Sequence, residues 1–219
     1  MIKNSCVLFD MDGIIIDSEP LQMDAFNILM TELGCKIDKA DTLNLVGRRA
    51  LDNFTYLIGK YGIKGKPEDL VLWKDRIYSE ILSKNLHSIP GIPELIEFLS
   101  SKKIPMGLVS GSSRAHVDFV LQGLGLMKYF GVTLASQDVL AGKPDPEGFL
   151  RAAAMLEADP RKSYVIEDTE PGVMAGVRGG FKVIAIPTEF TRLHDFSNAW
   201  KEVGTAGEAL NLLDNAFLQ

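Results

Sequence analysis

Cysteine is scarce: Cys6 and Cys35 are the only two in 219 residues. Two cysteines cannot build a disulfide framework. Cys6 sits in an apolar run and Cys35 follows a helical pattern, so both are expected as buried or half-buried thiols in a reducing compartment. Basic residues are also short. Lysine and arginine total 23 against 29 acids, a net charge of −6, which excludes nucleic-acid binding through a broad basic face. No run approaches 18 apolar residues, so no membrane span is expected. The first residues lead quickly into acids, with no long apolar region and no small-residue cleavage site, so the expected location is the cytoplasm. The three histidines, His87, His116 and His194, are too scattered to form a metal cluster, and at least two are expected to be exposed.

What is present is ordinary globular material. Apolar residues are 46% and charged residues 24%, enough for a folded core and incompatible with a disordered chain. Five short apolar runs, at 6–10, 105–110, 132–136, 164–168 and 182–186, read as buried parallel strands. Helical spacing at 92–101, 114–124, 146–156 and 172–178 alternates with them. That alternation predicts a Rossmann-like, doubly wound parallel sheet of the α/β class. A final helix is expected over 206–213, after a segment that closes the sheet edge. Trp73 and Trp200 are expected to pack against cores.

Residues 17–87 break the rhythm. They separate the first two strands by more than one crossover helix requires. Helical patterns lie at 21–33, 50–61 and 68–86, with no persuasive strand. The predicted organisation is a Rossmann-like core, residues 1–16 and 88–219, carrying an all-helical cap domain, residues 17–87. Such insertions commonly exclude water and select substrate.

The chemistry lies at the strand ends. The first strand runs into Asp10-Met11-Asp12-Gly13, two carboxylates at i and i+2. In open α/β sheets ligands bind beyond the carboxyl ends of the strands, so this pair is a metal site, a nucleophile with an acid/base partner, or a simple capping turn. The fourth strand also ends in two acids, Glu167-Asp168. Four carboxylates in one crevice repel unless a cation is present. Oxygen ligands without a His or Cys cluster favour Mg²⁺ over zinc or copper. The second strand ends Ser110-Gly111-Ser112-Ser113-Arg114, hydroxyls and glycine that can cradle a phosphate or merely cap a helix. Lys143, fixed between Gly142 and Pro144, can neutralise an aspartate and a phosphoryl group.

In this order the motifs resemble those of haloacid dehalogenase superfamily hydrolases, in the phosphoglucomutase-like and phosphoglycolate-phosphatase-like branch with a helical cap after the first strand. Asp10-Met11-Asp12-Gly13 matches the first motif, Ser110 the second, Lys143 the third and Glu167-Asp168 the fourth. The resemblance covers nearly the whole chain. It implies that Asp10 attacks phosphorus and forms an aspartyl phosphate. Asp12 would act as general acid, then as general base. Asp10, the Asp12 carbonyl and Asp168 would hold Mg²⁺, with Glu167 binding directly or through water. Ser110, Gly111 and Lys143 would bind the phosphoryl oxygens. Asp12 favours phosphoryl transfer over dehalogenation, and the lack of spans excludes a membrane-pump relative.

The cap side is less specific. Arg48 and Arg49 can bind a carboxylate or second phosphate. Lys74 resembles a substrate-facing lysine of the phosphoglucomutase-like members, and Ser112 and Arg114 can reach a distal substrate group. Ala50 stands where true β-phosphoglucomutases have an arginine, and Gln22 where they have a histidine. Both departures favour a phosphatase over a mutase. The expected activity is Mg²⁺-dependent hydrolysis of a small phosphorylated metabolite, a sugar phosphate above all, by a monomer or weak homodimer with no nucleic-acid or membrane partner. The alternatives are a β-phosphoglucomutase-like phosphotransferase and a catalytically idle binding or regulatory protein on the same fold.

Overall fold

A computed structural model describes residues 4–38, 41 and 50–217. Arg48 and Arg49 lie outside the described residues. The chain divides into two compact units, Met1–Asp17 with Leu86–Gln219, and Ser18–Asn85.

The first unit is built on a six-stranded sheet: β1 (Val7–Phe9), β2 (Met106–Val109), β3 (Val132–Leu134), β4 (Tyr164–Glu167), β5 (Lys182–Ala185) and β6 (Lys201–Glu202). Every pairing is parallel and the spatial order is β3-β2-β1-β4-β5-β6. The strand cores are apolar because both faces are covered; all residues of β1, β2 and β4 are buried. The chain steps from β1 outward to β2 and β3, then returns to β4 on the opposite side of β1. The switch point of the sheet therefore falls at β1, where such folds bind ligands. Phe9 is level with Leu108 on β2 and Ile166 on β4. That register sets Asp10, Ser110 and Glu167-Asp168 at one edge.

This unit also carries helices. They are α4 (Ile92–Ser101), α5 (Arg114–Gly123), α6 (Glu147–Met155), α7 (Glu170–Arg178) and α8 (Ala206–Phe217). Each starts with local chemistry that terminates a loop. Ser113 accepts from His116 N at α5, and Thr169 accepts from Gly172 N at α7, both N-cap bonds. Asp145 accepts from Glu147 N at the start of α6.

The second unit contains α1 (Glu19–Glu32), α2 (Ala50–Tyr61) and α3 (Pro67–Lys84). Pro67 opens α3 at a position where its missing N–H costs nothing. Phe26, Leu29 and Met30 of α1 meet Phe54 and Leu57 of α2 and Leu70 of α3 in a separate apolar core. The Phe26 and Phe54 rings lie 6.0 Å apart.

Three expectations are corrected. The sheet has a sixth strand, Lys201–Glu202, both of whose residues are exposed and carry no apolar signal. Trp73 is 39% exposed rather than packed in a core; Trp200 is similarly exposed, with its ring edge-on to Tyr164. Of the three histidines only His87 is exposed, while His116 and His194 are half-buried. No helix among the described residues is long and apolar enough to cross a membrane.

Candidate active site

Asp10 follows β1 directly, and its N–H donates to Ile166 O at 3.0 Å, extending the ladder by one step. Its side chain is buried. Burial pushes the carboxyl up to about 7; Lys143 pulls it down, while Glu167 and Asp12 add repulsion. Lys143 Nζ donates to Asp10 Oδ1 and Glu167 Oε1, each at 2.5 Å. The same two carboxylates push the Lys143 pKa upward, against the cost of burying its charge.

The loop carrying Lys143 is held by its own chain. Glu147 on α6 accepts from the N–H groups of Leu140 and Ala141, which holds its carboxyl below the usual range. Arg178 of α7 donates to Pro144 O at 3.0 Å. A lysine in a loop is thereby fixed at the edge of the sheet.

Glu167 is fully buried. Its Oε2 accepts from Asp168 N, Thr169 N and Thr169 Oγ1, all at 2.9 Å. Gly172 makes room for this carboxylate: a Cβ there would lie 1.8 Å from Glu167 Oε1. Gly13 does the same for Asp168, at a φ of +78°, with a Cβ position 2.2 Å from Asp168 Oδ2. Both glycines are required by close approach, and Gly13 also by its left-handed backbone.

Asp12 lies in the tight turn after β1, where Gly13 N donates to Ile16 O at 2.8 Å. Its Oδ2 accepts from Ser112 Oγ at 2.7 Å and more distantly from Ser110 Oγ at 3.5 Å. Its Oδ1 is buried without a hydrogen-bond partner. One carboxylate oxygen is thus anchored by hydroxyls and the other is not. Ser110 Oγ also accepts from Ser112 N at 2.9 Å. Gly111 is exposed between them, and nothing lies within 4 Å of where a Cβ would be.

Asp10, Glu167 and Asp168 each offer an oxygen within 4.8 Å of the others, and all three are buried. Among the described residues one ammonium, that of Lys143, is paired with this group, and it reaches two of the three carboxylates. A low-dielectric site with that excess of negative charge calls for another cation. An all-oxygen donor set suits a hard divalent ion, so the residues fit a metal.

Arg114, expected to reach a distal substrate group, is engaged by its own fold. Its guanidinium donates to Thr133 Oγ1 at 2.9 Å and Thr133 O at 2.8 Å, and pairs with Asp138 and Asp118. It ties α5 to β3. Lys74 lies in the helical unit. Its Nζ donates to Gln22 Oε1 at 2.7 Å, pairs with Asp75 at 3.2 Å and sits 5.8 Å from the Tyr78 ring centroid. It is 13% exposed, so it is not a solvated surface lysine.

One neighbour of the site escaped the sequence reading. Thr191, beyond β5, is buried, and its Oγ1 lies 3.5 Å from Asp168 Oδ2. Nothing local marks it; only the return of the chain from β5 brings it there.

The model of the haloacid dehalogenase-like hydrolase family matches residues 7–186, which include Asp10, Asp12, Ser110, Lys143, Glu167 and Asp168. The chain belongs to this family. This haloacid dehalogenase-like hydrolase is 32% identical over 182 residues to a phosphorylated carbohydrates phosphatase of Thermotoga maritima, covering 81% of this chain and 82% of that one. It is 34% identical over 197 residues to a bifunctional riboflavin kinase/FMN phosphatase of Arabidopsis thaliana, covering 90% of this chain. That match spans about half of the Arabidopsis protein, 52%. The crystal structure of a beta-phosphoglucomutase from Clostridium difficile superposes with a TM-score of 0.80 at 22% identity, covering 98% of this chain and 97% of that one. At that identity the likeness shows the fold alone. Together the family and its phosphatase relatives make this chain a phosphoric monoester hydrolase.

Proposed function

We propose that this hydrolase cleaves the phosphate ester of a small metabolite, most simply a sugar phosphate, with Mg²⁺ and through an aspartyl phosphate (an acyl phosphate) on Asp10. The observation that carries this reading is the group of buried Asp10, Glu167 and Asp168 with Lys143, beside an Asp12 anchored on one oxygen only. The sugar-phosphate class rests on the 32% identical carbohydrate phosphatase. Two further relatives, both at 28% identity, support small polyol and sugar-like esters: a validoxylamine A 7'-phosphate phosphatase and a glycerol-3-phosphatase.

The Asp10 carboxylate attacks phosphorus, forming a P–O bond as the bond to the leaving oxygen breaks. Asp12 gives that oxygen a proton. It then takes a proton from the water that attacks the phosphoryl-aspartate, releasing phosphate and regenerating Asp10. Lys143 and Ser110 hold the phosphoryl oxygens, where fixed donors act most strongly out of water. Asp10 and Asp168, with Glu167 and the Asp12 carbonyl, would hold Mg²⁺, which when bound neutralises charge on the phosphoryl group. We assign substrate choice to the helical unit, with Lys74, Arg48 and Arg49 as its candidate cations.

The test is phosphate release from a panel of sugar, polyol and nucleotide monophosphates with Mg²⁺, in the wild type and in Asp10→Asn. Steady release that stops with excess chelator and is lost in Asp10→Asn supports the reading. Interconversion of two monophosphates of one sugar without net release would assign a phosphotransferase instead. Unchanged turnover in Asp10→Asn would overturn the nucleophile.

A further inference from the structure

The turn after β5 contains two threonines whose hydroxyls form a closed proton account. A hydroxyl has one proton and two lone pairs. Thr188 Oγ1 accepts from Phe190 N and Thr191 N, both at 3.3 Å. With both lone pairs engaged, its own proton goes to Thr191 Oγ1, 3.1 Å away. Thr191 Oγ1 also accepts from Thr188 N at 2.9 Å. Its lone pairs are then filled as well, and its proton is left for Asp168 Oδ2 at 3.5 Å. Thr191 is 1% exposed, so water does not compete for that proton.

Asp168 Oδ2 is therefore bounded on two sides. The backbone at Gly13 lies against it, where a Cβ would come within 2.2 Å. The Thr191 hydroxyl lies on another. The 3.5 Å separation is long for a hydrogen bond, so the hydroxyl biases the orientation of the carboxylate more than it clamps it.

We propose that Thr191 is a positioning residue that holds Asp168 in the orientation needed to ligate a divalent cation. This rests on the metal reading above. Groups that orient a metal-binding carboxylate commonly change metal affinity by ~10–100-fold when lost. The long contact puts Thr191 at the lower end of that range.

The test is calorimetric titration of chelator-treated protein with Mg²⁺ alone. Thr191→Val, which keeps the shape and removes the proton, is expected to raise the Mg²⁺ Kd about tenfold. Thr191→Ser restores the hydroxyl and is expected to restore the wild-type Kd. Thr188→Val disturbs the same turn but leaves the Thr191 proton with no acceptor other than Asp168, so its Kd is expected to stay close to wild type. If Thr191→Val does not fold, Thr191→Cys carries the same expectation, because a thiol is a weak donor. An unchanged Kd in Thr191→Val, or an equal loss in Thr188→Val, would overturn the proposal and leave the metal reading intact. A wild type that shows no saturable Mg²⁺ binding would overturn the metal reading itself, and the role of Thr191 with it.

Discussion

Lys143 Nζ is shared between Asp10 Oδ1 and Glu167 Oε1, 2.5 Å from each. One half-buried ammonium thus balances two buried carboxylates from adjacent strands, and neither carboxylate has comparable access to water. Removing the cation strands both. Lys143→Met, which keeps most of the side-chain volume, is expected to lower kcat by about 100-fold or more, the scale for losing one fixed donor at a reacting group. In metal-free protein it should also destabilise the fold by about 3 kcal/mol, because an uncompensated buried charge remains. Phosphate release and urea unfolding measure the two effects. A wild-type kcat would remove Lys143 from the chemistry.

Asp12 is held through Oδ2 by Ser112 and left open at Oδ1. A general acid that later serves as general base contributes to both half-reactions. Asp12→Ala is expected to slow formation and hydrolysis of the phosphoryl-enzyme alike, each by ~10²–10⁴-fold. Rapid-quench kinetics separates the steps. If only one slows, Asp12 serves only that step.

Much of this site was legible because buried parallel strands leave a plain signature. Val7–Phe9, Met106–Val109 and Tyr164–Glu167 are apolar on both faces, so their ends, and the acids and hydroxyls there, could be located from the pattern. The helices of the second unit were legible through the spacing of residues such as Phe26, Leu29 and Met30. What was not legible depended on long-range placement. Lys201–Glu202 pairs with β5 through its backbone while both side chains face solvent, so no pattern announces a strand. Thr191 becomes a neighbour of Asp168 only because the chain returns from β5 across the sheet edge. Arg114 stands among hydroxyls in the sequence, but β3 and Asp138 surround its guanidinium.

That placement of Arg114 separates stability from catalysis. Arg114→Ala loses the bonds to Thr133 and the pair with Asp138. The side chain is about one-third exposed, so solvent screening discounts the ion pairs. The expected cost is about 1 kcal/mol in urea unfolding, with KM within about twofold of wild type, because lost uniform substrate binding would appear there. A large rise in KM with unchanged stability would place Arg114 at the substrate site instead.

Asp41 gives the helical unit its own pH dependence. Its carboxylate accepts from Lys60 Nζ at 2.6 Å, from Tyr61 and from Tyr56 at 3.1 Å. These bonds hold its pKa below the ordinary carboxylate value, and the same carboxylate raises Lys60 above the ordinary lysine value. A depressed carboxylate stabilises the fold above its unfolded pKa, about 3.9, and that stability fades as the pH falls through the lowered folded value. For the raised lysine the contribution is complete below about 10.4 and fades as the pH climbs through the raised value. Thermal melts of the wild type and Asp41→Asn should therefore differ most between about pH 5 and 9, and converge in strong acid. A constant difference down to the lowest pH would show that Asp41 acts through packing rather than charge.

Gly172 tests whether the geometry of Glu167 matters apart from its charge. A Cβ at this position would lie 1.8 Å from Oε1 and 2.4 Å from Oε2. Gly172→Ala must therefore displace the carboxylate from Lys143 and from the N–H groups of Asp168 and Thr169. Intrinsic helix propensity works the other way, since alanine is favoured over glycine by about 1 kcal/mol in a helix. Gly207→Ala in α8 isolates that propensity, because its Cβ would meet only Thr205 Oγ1, at 3.9 Å. Gly207→Ala is expected to keep full activity with an equal or higher Tm. Gly172→Ala is expected to lose activity at least tenfold, on the scale of a disturbed metal- or phosphate-positioning group. If both variants kept wild-type kcat, the position of Glu167 would be dispensable, and its bond to Lys143 would serve the fold rather than the reaction.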